Sequence, residues 1–162
     1  MRRALEVSVA CVALMTAMWA QVPGEFDSPA KAKGYLSYTA EPQSVAAGKR
    51  SVLELHFRVA PGYHVNSHTP KSELLIPTDL KLEPEAGVSA GKMEYPAGTA
   101  YRFPTEPGEA LDVYTGAFSV TLPVEARAGE HTLHGVLRYQ ACDRAACYPP
   151  KTLPVQVLFT AK

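Results

Sequence analysis

The clearest order in the chain is a period of two. Leu53, Leu55, Phe57 and Val59 alternate with Glu54, His56 and Arg58, the signature of a strand with one packed and one wetted face. The same alternation returns at Phe118, Val120 and Leu122, where Pro123 stops it. It returns again at Leu133, Gly135, Leu137 and Tyr139, interleaved with His134, Val136, Arg138 and Gln140, and finally at Leu153, Val155, Val157 and Phe159. Shorter β-prone runs occupy residues 35–39, 88–95 and 111–115. Residues 74–82 read as an edge strand interrupted by Pro77, because proline cannot donate into a central ladder. After Pro61-Gly62, residues 63–70 form a polar, aromatic-tinged loop of the kind that lines a site, and residues 101–108 read as irregular. Neither a helical period nor an internal repeat is present. About seven to nine short strands, separated by turn signals such as Ala47-Gly48-Lys49, Pro96-Ala97-Gly98 and Ala128-Gly129, predict an all-β fold: an immunoglobulin-like antiparallel β-sandwich.

Composition supports that reading and narrows the function. Fourteen prolines and eleven glycines disfavour helices, and 46% hydrophobic with 20% charged residues is the balance of one globular domain. Lys+Arg and Asp+Glu both total 16, so no electrostatic search for nucleic acid or an anionic membrane surface is indicated. Neither a Gly-x-Ser-x-Gly elbow nor a phosphate-cradling glycine loop occurs, which leaves hydrolase and nucleotide-binding readings without support.

The first residues differ from the rest. Arg2 and Arg3 precede an apolar run over 7–19, followed by Ala20-Gln21, which predicts a secretory signal peptide over residues 1–20. Cleavage after Ala20 sets Met18 at the minus-three position, and the run is short for a membrane span. Cys11 sits within the run with Ser8 three residues before it, a poor match to a lipid-anchor signal. Residues 21–33 mix Pro, Gly, Ser and charge and predict a flexible leader, leaving 34–162 as the domain of an exported protein.

Past the signal two cysteines remain, Cys142 and Cys147, between the last two alternating segments. In an oxidising compartment they pair by default, at a strand-pair tip that places them for access rather than burial. A bridge over so short a loop contributes about 2 kcal/mol by chain entropy, while an accessible pair close in sequence suits thiol–disulfide exchange. Asp143 and Arg144 would pull a thiol pKa in opposite directions. Spacing and context leave two readings open: a redox couple, or a sandwich-type binding or assembly module with a local structural bridge.

The flanking residues carry a resemblance. Tyr139-Gln140-Ala141-Cys142 and Cys147-Tyr148-Pro149-Pro150 resemble the active-site strand pair of the N-terminal periplasmic domain of DsbD-type thiol:disulfide interchange proteins. Looser similarity runs from about Gly34 to Phe159 and includes Pro61-Gly62-Tyr63, Val113-Tyr114-Thr115-Gly116 and Leu122-Pro123-Val124. The resemblance implies a periplasmic protein-disulfide reductase without cofactor or metal. It would act as a monomer, taking electrons from a thioredoxin-like or membrane-embedded donor and passing them to periplasmic disulfide proteins. By that analogy Cys147 is the attacking thiolate and Cys142 the resolving thiol, supported by Tyr139 and Tyr148.

The chain departs from the family's familiar members in several ways. Those have one more residue between the cysteines, a cap-loop aromatic where this chain has Leu111, Val113 and Tyr114, and tyrosines where it has His64 and Asn66. They also continue into a membrane region and a thioredoxin-like domain. His64 is expected near Cys147, either protonated and favouring its thiolate or as an ordinary loop histidine bonded to backbone. His131 and His134 fall on opposite strand faces and cannot share a metal, and Pro70 and Asn66 disfavour joint ligation by His64 and His68. Glu106, Glu109 and Asp112 read as a solvated loop, or as groups able to raise a thiol pKa.

Overall fold

The computed structural model describes residues 34–104, 108 and 110–162. The signal peptide and leader expected over 1–33, with Cys11, and the carboxylates Glu106 and Glu109 lie outside the described residues. Twelve strands and no helix are present among those described: β1 (Leu36–Thr39), β2 (Gln43–Val45), β3 (Ser51–Val59), β4 (His64–Asn66), β5 (Asp79–Leu82), β6 (Val88–Ala90), β7 (Thr99–Tyr101), β8 (Leu111–Tyr114), β9 (Ala117–Ala126), β10 (Gly129–Tyr139), β11 (Ala141–Cys142) and β12 (Lys151–Ala161). They form three four-stranded sheets, ordered β1-β3-β9-β6, β2-β12-β10-β5 and β11-β4-β8-β7.

The first two sheets make the sandwich, and the period of two explains why. Leu53, Leu55, Phe57 and Val59 of β3 and Val120, Leu122, Val124 and Ala126 of β9 turn inward from one sheet. Leu133, Leu137 and Tyr139 of β10 and Val155, Val157, Phe159 and Ala161 of β12 turn inward from the other, and all join one buried cluster. Their interleaved neighbours Glu54, Arg58, His134, Arg138 and Gln156 face water. The architecture is the expected immunoglobulin-like sandwich.

Several local expectations need correction. Pro123 does not stop β9, which continues to Ala126. The carbonyl of Pro123 accepts the Gly91 N–H at 2.7 Å, just past the end of β6, so the side of the strand lacking a donor has no ladder to serve. Of residues 74–82 only β5 is a strand, at the edge of its sheet as expected, while Leu74 is 91% exposed. One pairing is parallel, β2 with β12. Ala40-Glu41-Pro42 carry the chain from the β1 sheet to the opposite one without reversing it, so β2 arrives alongside β12 in the same direction.

The third sheet is continuous with one end of the sandwich. β4 follows β3 after a four-residue turn, β8 runs into β9 through Thr115-Gly116, and β11 follows β10 after Gln140. Gly116, at φ 59°, takes the left-handed conformation this β8–β9 turn needs, and its carbonyl accepts the Val59 N–H at 2.8 Å. Val65, Tyr114 and Ala141 anchor this sheet in the common core. Residues 63–70, expected as an open loop, thus contain the buried central strand β4.

Candidate functional site

Cys142 and Cys147 are joined by a disulfide with Cα atoms 3.9 Å apart, and they face each other as an antiparallel bridge. The hairpin around them is held by the Asp143 N–H to the Ala146 carbonyl at 2.9 Å and the Tyr148 N–H to the Ala141 carbonyl at 2.8 Å. The two sulfurs do not share an environment. Cys142 lies in β11 with no exposure, whereas Cys147 is exposed. Access rather than burial therefore describes one cysteine only, because β11 is drawn into the third sheet by its pairing with β4.

Asp143 organises the turn. Its Oδ1 accepts the Ala145 and Ala146 N–H groups at 2.7 and 2.9 Å, and its Oδ2 accepts the Tyr148 hydroxyl at 2.6 Å. The Tyr148 hydroxyl and these two amides hold the carboxyl down to about 2, and the same bond to Asp143 pushes the Tyr148 phenol up to about 12. Short polar side chains bond their own backbone two and three residues on, so Cys-Asp-x-x-x-Cys carries the turn's closure locally. Tyr148 also stacks on Tyr35 at 5.0 Å, with Tyr63 4.7 Å from Tyr35 and the Lys151 Nζ 4.7 Å over the Tyr35 ring. Tyr148 follows Cys147 directly in the chain, so this aromatic group begins one residue from the exposed cysteine.

Gln140 ties the buried side together. Its Oε1 accepts Asn66 Nδ2 at 3.1 Å and the Ile76 N–H at 3.3 Å, and its Nε2 donates to the Tyr148 carbonyl at 3.2 Å. Tyr139, buried behind it, is bonded by backbone groups of Tyr35 and Leu36, and burial pushes its phenol up. Tyr139 is therefore a core anchor for the strand entering the site.

The register brings the remaining candidates onto one face. Cys142 pairs with His64, and Asn66 pairs with Val113, so the side chains of Cys142, His64, Asn66 and Val113 share a side of the third sheet. His64 is 2% exposed and Asn66 fully buried, and among the described residues His64 Nε2 and Asn66 Oδ1 have no hydrogen-bond partner. Burial lowers the His64 pKa, against the pull of the Asp143 carboxylate, and so favours the neutral imidazole. His64 thus lies across the strand pair from Cys142, and its Nε2 meets no backbone group among the described residues.

The residues over His64 escaped sequence reasoning. Tyr101 lies 4.0 Å and Phe103 6.0 Å from its ring, centroid to centroid, from the segment expected to be irregular. The signal was present as two aromatics one residue apart at the end of a β-prone triplet. Tyr114 does not fill this role: its hydroxyl donates to the Pro96 carbonyl and accepts the His68 N–H, and its ring stacks on Phe118 at 4.5 Å. Val113 is fully buried within β8. His68 points elsewhere, stacked on Tyr95 at 3.8 Å with Nδ1 on the Thr78 carbonyl.

An immunoglobulin-like sandwich carrying a hairpin disulfide, one cysteine buried and one exposed, is the class that fold and site define. Within it, the family model of the thiol:disulfide interchange protein DsbD, N-terminal, matches residues 35–158, and the chain belongs to that family. No curated protein sequence matches the chain. Among solved structures, the N-terminal periplasmic domain of ScsB from Proteus mirabilis superposes with a TM-score of 0.50 at 14% identity, over 75% of this chain and 44% of that one. The reduced N-terminal domain of DsbD from Neisseria meningitidis is 21% identical, with a TM-score of 0.43 over 67% of this chain and 81% of that one.

Proposed function

We propose that the domain is a periplasmic thiol–disulfide exchange protein working as a protein-disulfide reductase through Cys142 and Cys147. The observation that carries this reading is the asymmetry of the pair: Cys147 is exposed while Cys142 is fully buried. A thioredoxin-like or membrane-embedded donor attacks the Cys147 Sγ as a thiolate, forming a mixed disulfide and releasing Cys142 as the leaving sulfur. The donor's second thiol then displaces Cys147, leaving both cysteines reduced and the donor oxidised. In the forward half, the Cys147 thiolate attacks the disulfide of an exported acceptor protein. Cys142 then attacks the Cys147 Sγ, reforms the internal bond and expels the acceptor with both of its sulfurs reduced. Two electrons pass in each half, and no cofactor enters.

Export by a signal over residues 1–20 and action as a monomer belong to the same proposal. Trapping tests the assignment of roles. A Cys142→Ser variant should hold an acceptor as a mixed disulfide through Cys147, visible on a non-reducing gel and reversed by dithiothreitol, whereas Cys147→Ser should not. Adducts formed equally by both variants would overturn the assignment, and adducts from neither would overturn the exchange function.

A further inference from the structure

The exchange cycle requires the Cys142 thiol to lose a proton each time it resolves a mixed disulfide, yet its side chain is fully enclosed. A thiol buried in apolar surroundings ionises reluctantly, and no solvent reaches it to carry the proton away. The register sets one titratable side chain directly across the strand pair from it, His64 on β4, where cross-strand Cα atoms stand about 4.5–5.5 Å apart. That imidazole is itself 2% exposed, roofed by Tyr101 and Phe103, and its Nε2 is a buried nitrogen without a partner among the described residues. An unpaired buried polar atom is costly unless it has a task.

We propose that His64 is the proton acceptor for the resolving cysteine: Nε2 takes the proton from the Cys142 Sγ–H as that sulfur attacks the Cys147 Sγ. The Cys142–Cys147 bond forms, the bond from Cys147 to the acceptor sulfur breaks, and the electron pair leaves on the acceptor sulfur. The imidazolium then returns its proton to the departing thiolate or to solvent when the turn opens. This rests on the exchange reading above and adds a residue to its second step.

The surroundings of His64 suit a base. Across it on β11 stands Cys142, and among the described residues its own strand and β8 offer on the same face Asn66, Val113 and Leu111, none of which titrates. From β7 and the residues beyond it come the Tyr101 and Phe103 rings. Asp143, in the turn, is the charged group whose field reaches it, and that carboxylate stabilises the imidazolium once formed. Burial favours the unprotonated imidazole, which is the form that can accept.

Ellman's reagent separates the two steps in the full chain. Added to reduced protein, it releases one thionitrobenzoate as Cys147 attacks and a second as Cys142 resolves. In His64→Gln, the ratio of the second rate to the first should fall at least tenfold near pH 7. The wild-type second phase should level off above the His64 pKa, while that of the variant should climb about tenfold per pH unit until the thiol itself ionises. An unchanged ratio and pH profile would overturn the inference and leave the exchange reading standing. Absence of a second release from wild-type protein would instead overturn the exchange reading. Should His64→Gln fail to fold, wild-type protein decides: the His64 imidazole pKa and Nε2 resonance, read by NMR, should differ between oxidised and reduced protein, and identical values in both states would refute the proposal.

Discussion

At the scale of single residues, the Asp143 carboxylate has the most definite consequences. Its bonds are strongest when it is ionised and Tyr148 is protonated. The folded carboxyl titrates at about 2 against an ordinary 3.8, so its contribution is complete above pH 4 and disappears as the pH falls toward 2. The phenol, raised from 10.0 to about 12, loses its contribution as the pH climbs through that upper range. Asp143→Asn should therefore flatten the fall in Tm between pH 4 and pH 2, measured by circular dichroism, relative to the wild type. An equal acid slope in both proteins would show that the turn carries no such linkage. Sequence exposed the cysteines, the flanking tyrosines and Asp143 itself, because all of them lie within one short window. It did not expose Tyr101 and Phe103, because contacts between them and His64 are made by a sheet whose register no local pattern encodes. Gln140 stood inside the recognised motif, but its three bonds reach β4, Ile76 and Tyr148, and only the folded chain shows that reach.

At the scale of elements, alternation was a reliable guide to β3, β9, β10 and β12, where one face packs and the other is wetted, and a poor one to the short strands of the third sheet. β4 is buried along its whole length, so its polar residues read as loop until the neighbours that enclose them are known. Glycine within an alternating strand marked a close approach. Gly135 lies in β10 between β5 and β12, and a Cβ there would come within 2.6 Å of the Lys81 carbonyl and of Leu82 Cδ2. The carbonyl belongs to the backbone and cannot swing aside, so Gly135→Ala should force β5 away and cost about 1–3 kcal/mol. Urea denaturation would measure the loss. Amide exchange that quickens at Leu80 and Leu82 more than at Val155 and Val157 would locate it, and an unshifted midpoint would refute the close approach.

At the scale of the whole molecule, stability and redox chemistry are divided between different parts of the fold. A single cluster drawn from all three sheets makes the core, while the disulfide closes only a turn, for which chain entropy gives about 2 kcal/mol. Reduction should leave the fold intact and lower Tm by roughly 5–10 °C. The reduction potential, measured against glutathione, should lie above about −300 mV if the bridge is an exchange couple. A lower potential would return the hairpin to a structural role. The clustered Tyr35, Tyr63 and Tyr148 give this division an optical consequence. The chain's one tryptophan, Trp19, falls within the signal proposed over residues 1–20, so the exported domain emits only tyrosine light, and a disulfide is an efficient quencher of phenol emission at short range. Opening the bond beside Tyr148 should brighten that emission, letting the domain report its own oxidation state in real time and without a label.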